Sequence, residues 1–239
     1  MARLDRLLAN LGYGSRREVQ GLLRKGAVVF DGAALSDGGQ KIPVVPDLPE
    51  RMTIEGAPVD PPAPLTLLMH KPLGVVCSHR EPGRSVYELL PRRWRARVPG
   101  LSTIGRLDLD TTGLLLITDD GPLLHRVIAP RSHVAKRYVA KLARPLRGDE
   151  AAVFAAGSLM LESESEPLAP AILEPLSDTE ARLTITEGRY HQVRRMFAAV
   201  GNHVESLHRD QIGGLSLPQD LAPGEWRILN SEELSAIFS

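Results

Sequence analysis

The sequence predicts an α+β fold in two parts: a small helix–helix–hairpin module, then a larger domain built on one big sheet. Three observations predict it. Apolar residues at helical spacing open the chain and lead into a hairpin signal. A proline-rich stretch divides the chain near residue 62. Beyond it, strand and helix signals alternate without a regular repeat. A length of 239 residues has room for this on the usual scale of about 100–200 residues per domain.

Leu4, Leu7, Leu8 and Leu11 fall on one face of a helix that Gly12 ends. Ser15 opens a second helix, with Glu18 completing a capping box, and Gly26 closes it. "AVVFDGAAL" places two short apolar runs about an Asp-Gly pair, the signature of a hairpin. A strand is expected around Met52–Ile54, followed by a stiff linker at Pro61-Pro62-Ala63-Pro64. The predicted domains are therefore 1–62 and 63–239.

In the second domain "LTLLMHKP", "LLLIT", "AKRYVAKL", "ARLTIT" and "GEWRIL" read as strands, with "LLLIT" apolar on both faces and so central. Helices are expected from Asp120-Gly121-Pro122 to Ile128, over Val193–Val200 up to Gly201, and from Asn230 or Ser231 onward.

Composition narrows the class. One cysteine, Cys77, leaves no internal disulfide and fits a reducing compartment. There is no secretory leader pattern and no apolar run of membrane-spanning length, so a soluble, cytoplasmic protein is expected. Lys and Arg balance Asp and Glu at 29 each, but unevenly along the chain. Residues 1–26 hold Arg3, Arg6, Arg16, Arg17, Arg24 and Lys25 against two acids, while residues 148–181 hold eight acids and no base. Such a molecule can offer its amino end to phosphates and turn the acidic stretch away. "RRWRAR", residues 92–97, reads either as a single-stranded RNA contact or as a turn with Trp94 docked on the core.

"GRLDLDTTGLLLITDDG", residues 105–121, is the segment richest in chemistry. A divalent metal at Asp108 and Asp110 gains nothing from Asp119 and Asp120, which lie about 17 Å beyond across five apolar residues. Those two are expected to serve as turn and cap residues. No zinc-type His/Cys spacing exists, so no metal is expected. Two carboxylates two apart on a strand share a face, whereas glycosidases set theirs on opposite sides of a sugar. A lone carboxylate nucleophile or base remains.

The motifs carry a resemblance. "GRLDLDTTGLLLITDDG" resembles the central motif of pseudouridine synthases of the RsuA-type branch, and "HKPLGVVCS" is similar to their opening motif. "KRYVAKL" and "EGRYHQVRRMFAAVGNHVESLHRDQIGG" resemble two further motifs, in the family's order, and the first 40 or so residues resemble an S4 RNA-binding module. The resemblance implies a cofactor-independent isomerisation of uridine to pseudouridine in ribosomal RNA. Asp108 would be the catalytic carboxylate, Arg194 its paired base, Tyr138 the platform for a flipped-out uracil and Leu207 a wall of the pocket. It also implies a large mixed, mainly antiparallel sheet with flanking helices.

Arg106, Lys71, His191 and Lys136 are further expected substrate contacts, and His70, Arg195, His208 and Arg209 are cleft or solvated positions. Asp110 is read as a turn-shaping residue bonded to nearby amides or threonines. In the S4-like module Arg3, Arg6, Arg16, Arg17, Arg24 and Lys25 would face RNA.

"TEGRYHQV…LAPGEWRIL" is more similar to small-subunit than to large-subunit members, which favours 16S ribosomal RNA. The partner would be that RNA, free or in a ribonucleoprotein intermediate, and the protein a monomer. The alternatives are large-subunit (23S) RNA, a non-catalytic ribosome-assembly factor, or a metal-dependent glycosyl-transfer enzyme.

Overall fold

The computed structural model describes residues 1–239 apart from the side chain of Pro130. It divides into two compact units. One holds Met1–Thr66, Tyr87–Ser102 and Ile117–Gly121, and the other holds Leu67–Val86, Thr103–Leu116 and Pro122–Ser239.

The first unit opens with β1 (Ala2–Arg3), α1 (Leu4–Asn10), α2 (Arg16–Arg24), β2 (Val28–Phe30) and β3 (Ala33–Ala34). It continues through β4 (Lys41–Ile42), α3 (Leu48–Arg51), β5 (Met52–Ile54) and β6 (Ala57–Pro58). The Ser15–Glu18 capping box forms in both directions and starts α2. The hairpin turns at Asp31 and Gly32, both at positive φ, as a two-residue turn between right-twisting strands requires. Leu4, Leu8, Val19, Leu23 and Met52 form its core.

The basic run near residue 94 belongs to this unit. Trp94 is buried, so it docks on the core and offers no stacking face. Arg93 pairs with Asp60, and Arg97 donates to Asp119 at 3.1 Å and to the Pro61 carbonyl at 3.0 Å. Asp119, expected as a turn residue, is instead a buried member of an ion pair that also accepts from the Leu65 amide at 2.6 Å.

The remaining elements lie wholly or mainly in the second unit. They are β7 (Thr66–Lys71), β8 (Ser102–Ile104), β9 (Thr111–Thr118), α4 (Gly121–Ile128), β10 (Lys136–Leu142), α5 (Glu150–Ala155), β11 (Ile172–Ser177) and β12 (Glu180–Ile185). After them come α6 (Gln192–Ala199), β13 (Val204–Ile212), β14 (Leu215–Ser216), β15 (Trp226–Ile228) and α7 (Ser231–Ala236).

Among the described residues nine of these strands make one sheet in the order β11-β12-β10-β13-β9-β7-β15, with β14 beside β13 and β8 beside β9. β13 and β9 run parallel; β10 runs antiparallel to both β12 and β13, and β15 to β7. This is the mixed, mainly antiparallel sheet expected.

β9 is central and starts earlier than its apolar run, at Thr111. Gly113 makes that possible: its φ is +111, and a Cβ there would stand 2.1 Å from the Arg209 carbonyl of β13. β13 was not legible as a strand because its inward positions include Arg209, which breaks the apolar alternation.

Candidate active site

A cavity of about 1140 Å³ opens in the second unit, and Asp108, Tyr138, Leu207, Lys136, Arg209 and His191 all lie on its wall. Asp108 sits on the loop that leads into β9. The loop is tied from several sides. The Thr111 amide donates to the Asp108 carbonyl at 3.1 Å, and the Gly74 amide donates to the Leu109 carbonyl at 2.9 Å. Lys71, fully buried, donates from Nζ to the carbonyls of Thr111 at 2.8 Å and Pro72 at 3.1 Å. Burial pushes its ammonium below the ordinary lysine value, while Cys77, Asp108 and Asp110 act in the opposite direction. The expectation that Lys71 touches substrate is therefore corrected. With no exposed surface and two carbonyls to hold, it braces the loop that carries Asp108.

Lys136 and Tyr138, two apart on β10, share one face of the strand. Tyr138 is buried and pairs across the strands with Arg209 of β13, whose Nη1 donates to the phenol oxygen at 3.3 Å. Leu207 stands beside Thr111 of β9 and Ala140 of β10 and is buried. Two histidines lie near it. His208 Nδ1 and Thr112 Oγ1 are 2.8 Å apart, His70 Nδ1 meets the Leu221 carbonyl at 2.8 Å, and the two rings touch edge to face. Burial lowers the His208 imidazole pKa, and His70 adds to the shift. Cys77 is buried and its thiol is pushed up by burial, so it packs rather than reacts.

α6 supplies the ionic partners, and their assignment differs from the motif-based one. His191, left-handed at φ 46, caps the start of α6, and its Nε2 lies 3.4 Å from an Asp108 oxygen. Its ring stacks on Tyr190 with centroids 3.9 Å apart. Arg194, three residues on, donates to the Val204 carbonyl at 2.8 Å and meets the Asp110 carboxylate at 2.9 Å and carbonyl at 3.2 Å. Arg194 thus pairs with Asp110 and not with Asp108. Three residues make most of a helical turn, so His191 and Arg194 reach successive carboxylates of the Asp-Leu-Asp stretch. Asp110 shapes the loop through this arginine rather than through neighbouring threonines.

Part of the acidic stretch reaches the cavity, at Glu164–Glu166. Glu164 accepts from Arg195 at 2.8 Å and from Arg189 at 3.2 Å on the cavity's rim. Glu187 is held by Gln192 at 2.8 Å, by the Ala169 amide at 3.0 Å and by Arg189 at 3.2 Å. Arg106, another expected contact, is exposed at the cavity and paired with Glu81. The sequence offered Arg209 only as one cleft arginine among several. Its signal was a charged residue at an inward strand position. Nothing local marked the Tyr190–His191 stack.

The six basic residues expected to face RNA are all exposed in the first unit. Arg3 and Arg16 share the buried carboxylate of Asp5 at 3.0 and 2.7 Å. Among the described residues no cluster of three or more His, Cys, Asp or Glu side chains is placed to hold a metal ion, and no helix is long and apolar enough to cross a membrane.

Residues 66–199 match the family model described as RNA pseudouridylate synthase. A protein of Escherichia coli K12 named ribosomal small subunit pseudouridine synthase A is 43% identical over 241 residues, covering 98% of this chain and 99% of its own. One of the same name from Vibrio cholerae is 43% identical over 239 residues, covering 99% of each. A crystal structure described as a pseudouridylate synthase is similar over 99% of this chain and 100% of its own, with 37% identity and a TM-score of 0.69.

Proposed function

The chain belongs to the RNA pseudouridylate synthase family, and from that premise we propose that it isomerises one uridine of small-subunit (16S) ribosomal RNA to pseudouridine, with Asp108 as the reacting carboxylate. One observation carries the site assignment: Asp108, Tyr138 and Leu207, expected from three separate motifs, line one cavity.

The reaction breaks a carbon–nitrogen glycosidic bond, turns the uracil and rejoins it through carbon. Enzymes that act on a base take it out of the stack and hold it against aromatic and apolar side chains. Tyr138 and Leu207 are those surfaces. The Asp108 carboxylate acts at the ribose or the base as nucleophile or base, aimed by a loop tied to Gly74 and Lys71. Arg209 holds the phenol of Tyr138 in place. The first 62 residues form the S4-like part of the first unit, whose cations anchor the RNA in this reading, and the catalytic part is the second unit. The expected boundary near residue 62 is thus crossed by Tyr87–Ser102 and Ile117–Gly121, which pack with the first unit. In this reading the protein acts as a monomer. The reaction belongs to ribosome assembly in the cytoplasm, on free RNA or a ribonucleoprotein.

The test is to incubate the protein with unmodified small-subunit and large-subunit ribosomal RNA and their particles, and to map pseudouridine by carbodiimide-blocked reverse transcription. One new stop in small-subunit RNA, lost with Asp108→Asn while RNA binding persists, is expected. Stops only in large-subunit RNA would overturn the substrate. Residual turnover by Asp108→Asn near the parent level would remove its role.

A further inference from the structure

Two cations on the cavity wall lack anionic partners. Arg209 is 3% exposed. Its Nε donates to the Leu114 carbonyl at 2.8 Å and its Nη1 to Tyr138, but its Nη2 meets no acceptor and no carboxylate pairs with it among the described residues. Its guanidinium stands 5.8 Å from the centre of the Tyr138 ring. Lys136, on the same strand face as Tyr138, has no hydrogen bond or ion pair of its ammonium among the described residues. Burial lowers its pKa and Arg209 lowers it further, opposed by Glu187. Glu187 is already engaged by Arg189, Gln192 and the Ala169 amide.

Unpaired charge in a half-buried site is unfavourable unless a guest supplies the counter-charge. The guest must be anionic at some moment and must lie against Tyr138.

The reaction proposed above, on which this inference rests, makes such a species. When the C1′–N1 bond breaks, its electron pair leaves on uracil N1 and spreads to O2 and O4. C1′ is satisfied either by a new bond to an Asp108 oxygen or by loss of the C2′ proton to that carboxylate. Either way one negative charge passes from Asp108 to the ring. When C5 bonds C1′, the charge returns to Asp108, either as the Asp108–C1′ bond breaks or as Asp108 gives its proton back to C2′. The C5 proton then leaves to solvent while N1 takes one up.

We infer that Lys136 and Arg209 form an electrostatic site for the displaced uracil anion, Lys136 touching a ring carbonyl and Arg209 acting as a fixed charge behind Tyr138. Preorganised donors aimed at charge present only during reaction act on the rate and not on binding. The site also discriminates: O2 and O4 of uracil accept hydrogen bonds, whereas the exocyclic amine of cytosine is a donor that would face an ammonium.

The test uses single-turnover kinetics on the full chain with RNA carrying uridine or 5-fluorouridine at the target, reading loss of the parent nucleoside in a nuclease digest. Fluorine stabilises the ring anion, so it replaces part of what the cation supplies. Lys136→Met is expected to slow uridine consumption by about 10²-fold, with RNA affinity unchanged. The loss should be several-fold smaller with 5-fluorouridine, and Lys136→Arg should recover most of the rate. Arg209→Lys, which keeps a cation, should lose less than Arg209→Met.

An equal loss on both substrates, or a loss of affinity that accounts for the slowing, would overturn the inference; the second result would make Lys136 a phosphate contact. Failure of the parent protein to consume uridine would instead sink the proposed reaction.

Discussion

The Nε2 of His191 stands 3.4 Å from Asp108, in the place that motif resemblance assigns to Arg194, while Arg194 is committed to Asp110 and the Val204 carbonyl. The stack with Tyr190 limits how the His191 ring can turn, and the left-handed backbone at His191 presents it to the loop. His191 is thereby a positioning residue for the carboxylate.

A part-exposed contact between an imidazole and a carboxylate contributes roughly 1 kcal/mol, so His191→Ala should slow single turnover by about 5-fold. His191→Gln, which keeps an N–H donor, should recover most of that rate. The check is the rate at saturating enzyme together with RNA affinity, which should not move. An unaltered rate in His191→Ala would mean that the loop alone aims Asp108.

Gly113 lets β9 lie against β13 behind the catalytic loop. Gly113→Ala puts a methyl group into the Arg209 carbonyl at a φ that side chains rarely adopt, and strain of this kind costs roughly 1–3 kcal/mol before any clash. Thermal unfolding should shift down by several degrees and turnover should fall with it. A variant as stable as the parent would show that the two strands can separate without penalty.

Asp5 contributes a pH-dependent part of the first unit's stability. The hydrogen bond from Arg3, then that from Arg16, holds its carboxyl well below the usual range. Because the folded value lies below the unfolded one, this stabilisation is complete above about pH 4 and is lost as the pH falls further. Asp5→Asn should therefore unfold more easily than the parent at pH 7, and the gap should narrow as the pH falls below about 4 while remaining open at about pH 3. A difference independent of pH would assign the effect to packing.

Arg6, Arg17, Arg24 and Lys25 are exposed with no side-chain partners among the described residues, whereas Arg3 and Arg16 share the one carboxylate of Asp5. Replacing the four free cations by Gln should reduce the slope of log affinity against log salt by about 3. Replacing Arg3 and Arg16 should change stability more than the slope. An unchanged slope for the fourfold variant would place the RNA contacts elsewhere.

Legibility differed by element. The Ser15–Glu18 and Asn230–Glu233 caps, the Asp31-Gly32 turn and strands β7, β10 and β12 follow from residues within a few positions of one another. Short-range sterics and hydrogen bonds decide such features wherever they occur. β13 hid behind Arg209, and the Arg97–Asp119 pair behind ordinary surface-residue chemistry, because charged side chains read as exposed until a partner is brought to them.

By itself the sequence determined the local caps and turns, several of the strands and helices, a two-part organisation and the set of residues from which the site is drawn. Only the tertiary structure decided which side chain meets which group: His191 with Asp108, Arg194 with Asp110, Lys71 with backbone carbonyls. The two aspartates lie two residues apart and the two bases three apart, about 80 residues further along the chain. Either pairing satisfies charge and composition. The choice rests on distances of a few ångströms, set by how β9, β13 and α6 pack, and ion-pair energies depend on those distances and on burial.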